Sequence, residues 1–215
     1  MASKKEILKK VLGELPLTAE VYWLLRQNGY SSPSSFSLKN IREILPEAVK
    51  LTEKAREKKT TGKKVLLFAS THYWLEHVVM TGMALSAQGH NVTLAYYPYG
   101  HWHSDSTQFD IRRQNMYATS VLRPASSVIH FENLLRNNSS FAQLPEQLVK
   151  DVKQITDYDY MYAFQTESVD TEDSFYLFRY GRNLQTAKAL HDYLRKNQPD
   201  VAIIPNGTIL EFGVA

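Results

Sequence analysis

The chain has 215 residues, with 25 Lys and Arg against 22 Asp and Glu, 9 Gly, no Cys and 43% apolar residues. That length and apolar share suffice to bury a core. They exclude intrinsic disorder and collagen, and the missing Cys excludes a disulfide scaffold and all thiolate chemistry. Nowhere do eighteen apolar residues run together, and the first thirty residues lack the unbroken apolar segment of a signal peptide, so the expectation is a soluble, cytoplasmic protein.

The net charge of +3 is unevenly placed: residues 1–64 carry 14 basic and 7 acidic side chains, and residues 65–215 carry 11 and 15. A basic first third favours anionic surfaces, such as the inner face of a membrane to which the protein would be peripheral, through an attraction that salt screens. The plainer reading is a solvated, lysine-rich helix face. No basic-aromatic RNA motif or zinc-finger spacing occurs, so nucleic acid is not an expected partner.

Residues 4–59 read as helices. Ile7, Leu8, Val11 and Leu12 share a face, and after Pro16 the likewise helical Val21, Leu24 and Leu25 follow Thr18, a suitable cap. Gly29 to Ser37 is a turn-rich break. A third helix starts near Leu38 with Ile41, Leu45, Val49 and Leu51 as its inner face, and fades into the charged linker EKAREKKTTGKK.

The period then changes. Val65 to Ala69 is a short continuous apolar run, as in a strand buried on both faces of a parallel sheet. A polar loop, Ser70 to Tyr73, leads to a helix from Trp74 to Gln88 that closes at Gly89, and Val92 to Tyr97 is a second strand. Strand, helix and strand within about 34 residues make a βαβ unit with parallel strands. Beyond it, Phe109 to Leu122 is helical, Val128 to Phe131 a short third strand and Asn137 to Ser140 a loop. Leu144 to Ile155 is helical, Asp157 to Phe164 aromatic-rich and ambiguous, and Phe175 to Asn197 a long amphipathic helix. Val201 to Ile204 is the last strand, followed by the turn Pro205 to Thr208 and the start of a helix, Ile209 to Ala215. The fold class is therefore α/β, a mostly parallel sheet flanked by helices and preceded by a helical segment. Residues 1–62 form the leader and linker, and residues 63–215 a sheet domain whose open edge suggests truncation at its C-terminal end.

In an open parallel sheet, ligands bind beyond the carboxyl ends of the strands. Ser70 to His77, Pro98 to Ser106 and Pro205 to Glu211 occupy that edge. The first offers His72, Trp74, Glu76 and His77 at a helix start, the second His101, His103 and Asp105, and the third Asn206, Gly207, Thr208 and Glu211. Each has a structural reading beside the functional one: His72 and His77 as helix-start hydrogen-bonding groups, Trp74 as packing, and Asn206-Gly207 as a turn.

His101-Trp102-His103-Ser104-Asp105 resembles part of the metal motif of metallo-β-lactamase-like hydrolases, in which imidazoles and a carboxylate ligate zinc. That family has His directly after the Asp; here the position is Ser106, and no further ligands have fitting spacing, so no metal is assigned. Walker A, Gly-x-Gly-x-x-Gly and Gly-x-Ser-x-Gly segments are absent, which sets aside P-loop, dehydrogenase and α/β-hydrolase readings.

Lys64 to Leu94, KVLLFASTHYWLEHVVMTGMALSAQGHNVTL, resembles the opening strand-helix-strand of glycosyltransferases with the GT-B architecture. The resemblance rests on the buried strand, the polar loop and Ala-Leu-x-x-x-Gly-His-x-Val-Thr. Pro199 to Gly207 resembles a later strand and ligand-side loop of the same domain, and together the pieces cover most of residues 63–215. The helical leader Leu15 to Ala55 resembles that of a bacterial group of such enzymes. The resemblance implies a Rossmann-like, acceptor-side half of a two-domain enzyme. That enzyme would move a sugar from a nucleotide-sugar to a hydroxyl of a sugar or lipid-linked acceptor, without a metal or other cofactor, as in bacterial surface polysaccharide or glycolipid synthesis. It implies His72 as the base that deprotonates the acceptor, His77 as the second choice, Trp74 stacking a sugar, Glu76, His101, His103 and Glu211 bonding hydroxyls, and Asn206 to Thr208 presenting backbone donors. The nucleotide-sugar would be gripped mainly by a domain beyond Ala215, so the 215 residues alone would be inactive. Many inverting members carry Gly-His at the helix start, where this chain has Trp74, and many retaining members a glycine-rich first loop, also missing; the choice of base and the stereochemistry stay open. The alternatives are a non-catalytic Rossmann-like sugar-binding or interaction module and, third, a metal-dependent hydrolase using His101, His103 and Asp105.

Overall fold

The computed structural model describes residues 4–27, 32–33, 36–57, 62–135 and 144–215. Two leader helices, α1 (Lys4–Glu14) and α2 (Thr18–Gln27), precede α3 (Lys39–Arg56). Then come β1 (Lys64–Ser70), α4 (His72–Ala87), β2 (Asn91–Tyr97), α5 (Gln108–Leu122) and a 3₁₀ turn, Arg123–Ser127. β3 (Ile129–Asn133), α6 (Glu146–Phe164), α7 (Ser174–Asn197), β4 (Val201–Ile203) and α8 (Leu210–Gly213) complete the chain. The loop expected at Asn137 to Ser140 lies outside the described residues, as do parts of the turn-rich break and of the charged linker.

All strand pairs are parallel and the order is β3-β2-β1-β4, which makes the protein α/β with an all-parallel sheet flanked by helices. Val65 and Leu67 of β1 pack with Leu75, Val79 and Met83 of α4 on one face of the sheet. Leu66 and Phe68 pack with Ala189 and Leu190 of α7 and with Leu210 and Phe212 of α8 on the other. The unbroken apolar run of β1 follows from this double burial. Gly89, at φ 94°, closes the helix-to-strand turn after α4 as its sequence position requires.

Several boundaries move. α4 starts at His72, two residues earlier than expected. The ambiguous aromatic stretch Asp157 to Phe164 is the last part of α6, held there by ring contacts such as Tyr160–Phe164 at 4.7 Å and Phe164–Phe175 at 5.3 Å. The final helix is only Leu210–Gly213.

α3 joins the sheet's own core: Ile41, Leu45 and Val49 lie in one buried cluster with Val65, Val78 and Met83. Its inner face is completed by Thr52, while Leu51 is 63% exposed. The phase of the helix explains this, since positions 41, 45, 49 and 52 keep the 3.6-residue period and 51 falls well off it.

The apolar residues of α1 and α2 point outward. Gly13 is the buried residue of α1, where an added Cβ would lie 2.8 Å from the backbone nitrogen of Phe109 at the start of α5. Polar ties finish the contact: Lys9 Nζ to Asp110 Oδ2 at 2.7 Å, and Arg112 to the Gly13 carbonyl at 3.0 Å and to the Glu20 carboxylate. Because backbones meet here, the face opposite Gly13, with Ile7, Val11 and Leu15, is left in solvent.

The placement of α3 yields a direct check. Leu45→Ala, in a fully enclosed site, is expected to lower the unfolding free energy by about 2–5 kcal/mol. Leu51→Ala is expected to stay within about 0.5 kcal/mol of wild type in the same urea titration.

Candidate functional site

The sheet has a switch point between β1 and β4: the chain leaves β1 toward α4 on one face and leaves β4 toward α8 on the other. A crevice at such a point, outside the carboxyl ends of the strands, is where an open parallel sheet takes ligands. A cavity of about 370 Å³ lies at the opposite, amino ends of the strands, among Arg56, Lys64, Asn91 and His130. Its polar groups include ones already paired, Arg56 with Asn91 at 3.0 Å and the Lys64 backbone N–H with Asp200 at 2.7 Å.

The turn out of β1 is sharp. Ser70 and Thr71 are buried, and Thr71 has φ 68° and ψ 151°, a region occupied almost only by Gly, at a cost of about 1–3 kcal/mol for other residues. The turn places His72 as the first residue of α4, whose N-terminus has no side-chain cap. His72 is half-buried, edge-on to Phe36 at 6.0 Å and to Tyr73 at 5.3 Å, and its Nδ1 is enclosed without a hydrogen-bond partner. Burial pulls its pKa below the ordinary 6.5, against the charge of Glu76 and a contact to the Gly100 backbone, so the imidazole is neutral at pH 7.

The other expected site residues fare differently. His77 is exposed on α4 and touches the edge of Trp74 at 6.3 Å. Trp74 is half-buried and packs on Phe212 at 5.8 Å, linking α4 to α8 across the end of the sheet. Glu76 faces α3: its carboxylate accepts from the Asn40 backbone N–H at 3.1 Å, from Asn40 Nδ2 at 2.9 Å and from the Ile41 N–H at 3.4 Å. It thereby supplies the N-terminal cap that Leu38 cannot. His101 and His103 are exposed, their rings 5.2 Å apart, and Asp105 accepts from the Ser106 N–H at 2.8 Å. Among the described residues no three His, Asp or Glu side chains are grouped as metal ligands, so the arrangement that the hydrolase reading needs from His101, His103 and Asp105 is not formed. Asn206 Oδ1 accepts from the backbone N–H and the hydroxyl of Thr208, at 3.0 and 2.7 Å, in a tight turn around the exposed Gly207.

Glu211 is fully enclosed, and it leads to a network that sequence reasoning missed. Its carboxylate accepts from Ser70 Oγ at 3.1 Å and from Arg179 Nη1 at 2.9 Å. Arg179, also fully enclosed, gives Nε to Asp159 at 3.1 Å, Nη2 to Asn183 at 3.0 Å and Nη1 also to the Trp102 carbonyl at 3.1 Å. Asp159 in turn accepts from the Leu210 N–H at 2.6 Å, where the backbone is left-handed at φ 59°. Arg182 lies 3.8 Å over the Tyr99 ring and donates to the His101 carbonyl at 2.7 Å, while its Nη2 is buried and unpartnered. Two arginines and two carboxylates thus balance inside the protein and fix the loops after β1, β2 and β4.

The two acids respond to burial differently. For Glu211 burial pushes the pKa up, but the charges of Arg179 and Arg182 outweigh it and hold the carboxyl below its ordinary value. For Asp159 burial prevails over Arg179 and the pKa is raised. Scattered charges on α6 and α7 give no sequence signal of their own; the only cue was Glu211, at the privileged edge.

Arg179→Met leaves two carboxylates enclosed without their cation, and a loss of about 3–5 kcal/mol is expected by urea unfolding at pH 7. The stability that Glu211 contributes, having a depressed folded pKa, is fully present above its ordinary 4.5 and disappears as pH falls through the folded value. Asp159 has the opposite sign, its ionisation weakening the fold above its raised pKa. In an Asp159→Asn background, the stability gap between Glu211 and Glu211→Gln proteins is therefore expected to be widest near neutrality and to shrink below pH 4.5; a gap independent of pH would contradict the assigned charge.

Compared with protein-family models, curated proteins and solved structures, the chain matches none of them.

Proposed function

We propose that the chain is the acceptor-side domain of a GT-B-type glycosyltransferase, with His72 as the base for an acceptor hydroxyl. The observation that carries this reading is the position of His72, a half-buried neutral imidazole, at the head of α4 beside the β1–β4 switch point. A base must reach its proton and be unprotonated at the working pH, and an imidazole drawn below 6.5 meets the second condition. The parallel strand-helix-strand over Lys64 to Leu94, closed by the Gly89 turn, adds support.

In the proposed step the acceptor oxygen forms a bond to the anomeric carbon of the nucleotide-sugar while the bond to the nucleoside diphosphate breaks. The diphosphate leaves with that electron pair, and the acceptor proton passes to the His72 imidazole. His101, His103 and Thr208 are exposed on the loops after β2 and β4 and would bond sugar hydroxyls in this reading. In this reading the nucleotide-sugar is held mainly by a second domain.

A second reading, a sugar-binding module without turnover, draws on the engagement of Glu76 and Glu211. Both carboxylates are committed within the protein, which leaves His72 with little acid-base help.

The test follows nucleoside diphosphate release by the full-length protein over a panel of nucleotide-sugars and sugar acceptors. Turnover is expected, with an acidic limb of the kcat/KM profile below pH 6.5, and His72→Ala is expected to lower kcat by about 100-fold or more at unchanged melting temperature. Near-normal turnover of His72→Ala would remove the base, and saturable sugar binding without any release would favour the module.

A further inference from the structure

Of the large apolar side chains exposed among the described residues, half lie between Ile7 and Leu25. Ile7 and Val11 form the outward stripe of α1, continued by Leu15 just past its end, and Val21, Leu24 and Leu25 form that of α2, the last being 75% exposed. Both helices are amphipathic in the wrong sense for a core: what they bury is Gly13, Ala19 and Trp23. Between them runs an apolar groove of about 450 Å³, walled by Leu12, Leu17, Tyr22 and Phe109. Contiguous apolar surface of this kind on a folded protein marks a place where something docks.

The charges around it select the occupant. Arg26 lines it and Lys4, Lys5 and Lys10 are exposed on α1; Lys4 to Arg26 carries five basic side chains, of which Lys9 is paired with Asp110, against Glu6, Glu14 and Glu20, the last paired with Arg112. Two copies of this chain meeting through the groove would bring two basic margins together. An anionic bilayer instead accepts the cations at its headgroups and the apolar stripes at the acyl boundary, with long lysine stems reaching outward. We propose that α1 and α2 form a membrane-docking hairpin for anionic lipid surfaces, lying in the interface plane; no described helix is long and apolar enough to cross one.

This surface stands independently of the sugar-transfer reading. It also bears on it, because Phe109 in the groove wall belongs to the first turn of α5, directly after the loop that carries His101 and His103. The groove wall and that loop are thus consecutive in the chain.

The experiment is co-sedimentation of the full-length chain with vesicles of phosphatidylcholine alone and of two parts phosphatidylcholine to one part phosphatidylglycerol. At least about tenfold more protein is expected to pellet with the anionic vesicles, falling as salt rises from about 0.1 M to about 1 M and the screening length shortens from about 10 Å to about 3 Å. Val21→Ser with Leu25→Ser, at exposed positions, is expected to reduce binding about tenfold at unchanged melting temperature. Lys4→Gln, Lys5→Gln and Lys10→Gln together, which touch no core residue, are expected to remove the preference for anionic vesicles. The proposal fails if the protein ignores anionic vesicles, if neither set of substitutions reduces binding, or if light scattering shows a dimer that Val21→Ser with Leu25→Ser dissolves. None of these readouts depends on catalysis, so failure here and failure of the glycosyl-transfer reading are separable.

Discussion

The enclosed guanidinium of Arg179 organises the carboxyl edge of the sheet. Taking such a charge out of water costs several kcal/mol, and the cost is offset only when geometry is good and each N–H finds an acceptor. Here Asp159 arrives from α6, Asn183 from the next turn of α7, Glu211 from α8 and the Trp102 carbonyl from the loop after β2. One side chain therefore joins the crossover between β3 and β4 to the exits of β2 and β4, and through Glu211 to Ser70 at the end of β1. Remove a partner and its neighbours become enclosed, unpaired polar groups, so the network acts as a unit.

The carboxyl edge between β1 and β4 inherits its shape from that network. Leu210 adopts a left-handed backbone with its N–H held by Asp159, which turns the chain from β4 toward α8 and lets Phe212 meet Phe68 and Trp74. On the other side Thr71 takes a backbone conformation that suits Gly, and the strain is carried by a turn whose neighbours are fully packed. Both departures from relaxed geometry sit where β1 and β4 diverge. A fold that needed only to bury its apolar residues would have no reason to concentrate strain and charge there.

How much of this was legible in the sequence depends on the range of the interactions. The strands around Val65 to Ala69 and Val92 to Tyr97, the helix between them and the Gly89 turn are local patterns, and the sheet carries them as read. For α3 the period was legible but its phase was misjudged at one position, because Leu51 is apolar and Thr52 is not, yet geometry turns Thr52 inward. Asp159, Arg179 and Arg182 were silent, since a charge on an amphipathic helix reads as solvent-facing unless its partner is known, and Glu211 is 52 residues from Asp159. Glu76 shows the reverse: a carboxylate at the expected ligand edge is consumed in capping a helix that begins 37 residues earlier in the chain, at Lys39.

The leader helices complete the contrast. Hydrophobic periodicity identifies a helix and says that one face is apolar, but the core claims a face only if the contact is worth more than its alternatives. At α1 the alternative is a backbone approach at Gly13, with Lys9 and Arg112 tied to neighbours, and it holds the helix on α5 without using the apolar stripe. The protein thus encloses charge at the end of its sheet and leaves apolar surface bare on its leader, opposite to what folding in water alone rewards. The proposed polar ligand beside His72 and the proposed lipid surface against Val21 and Leu25 would each account for one inversion.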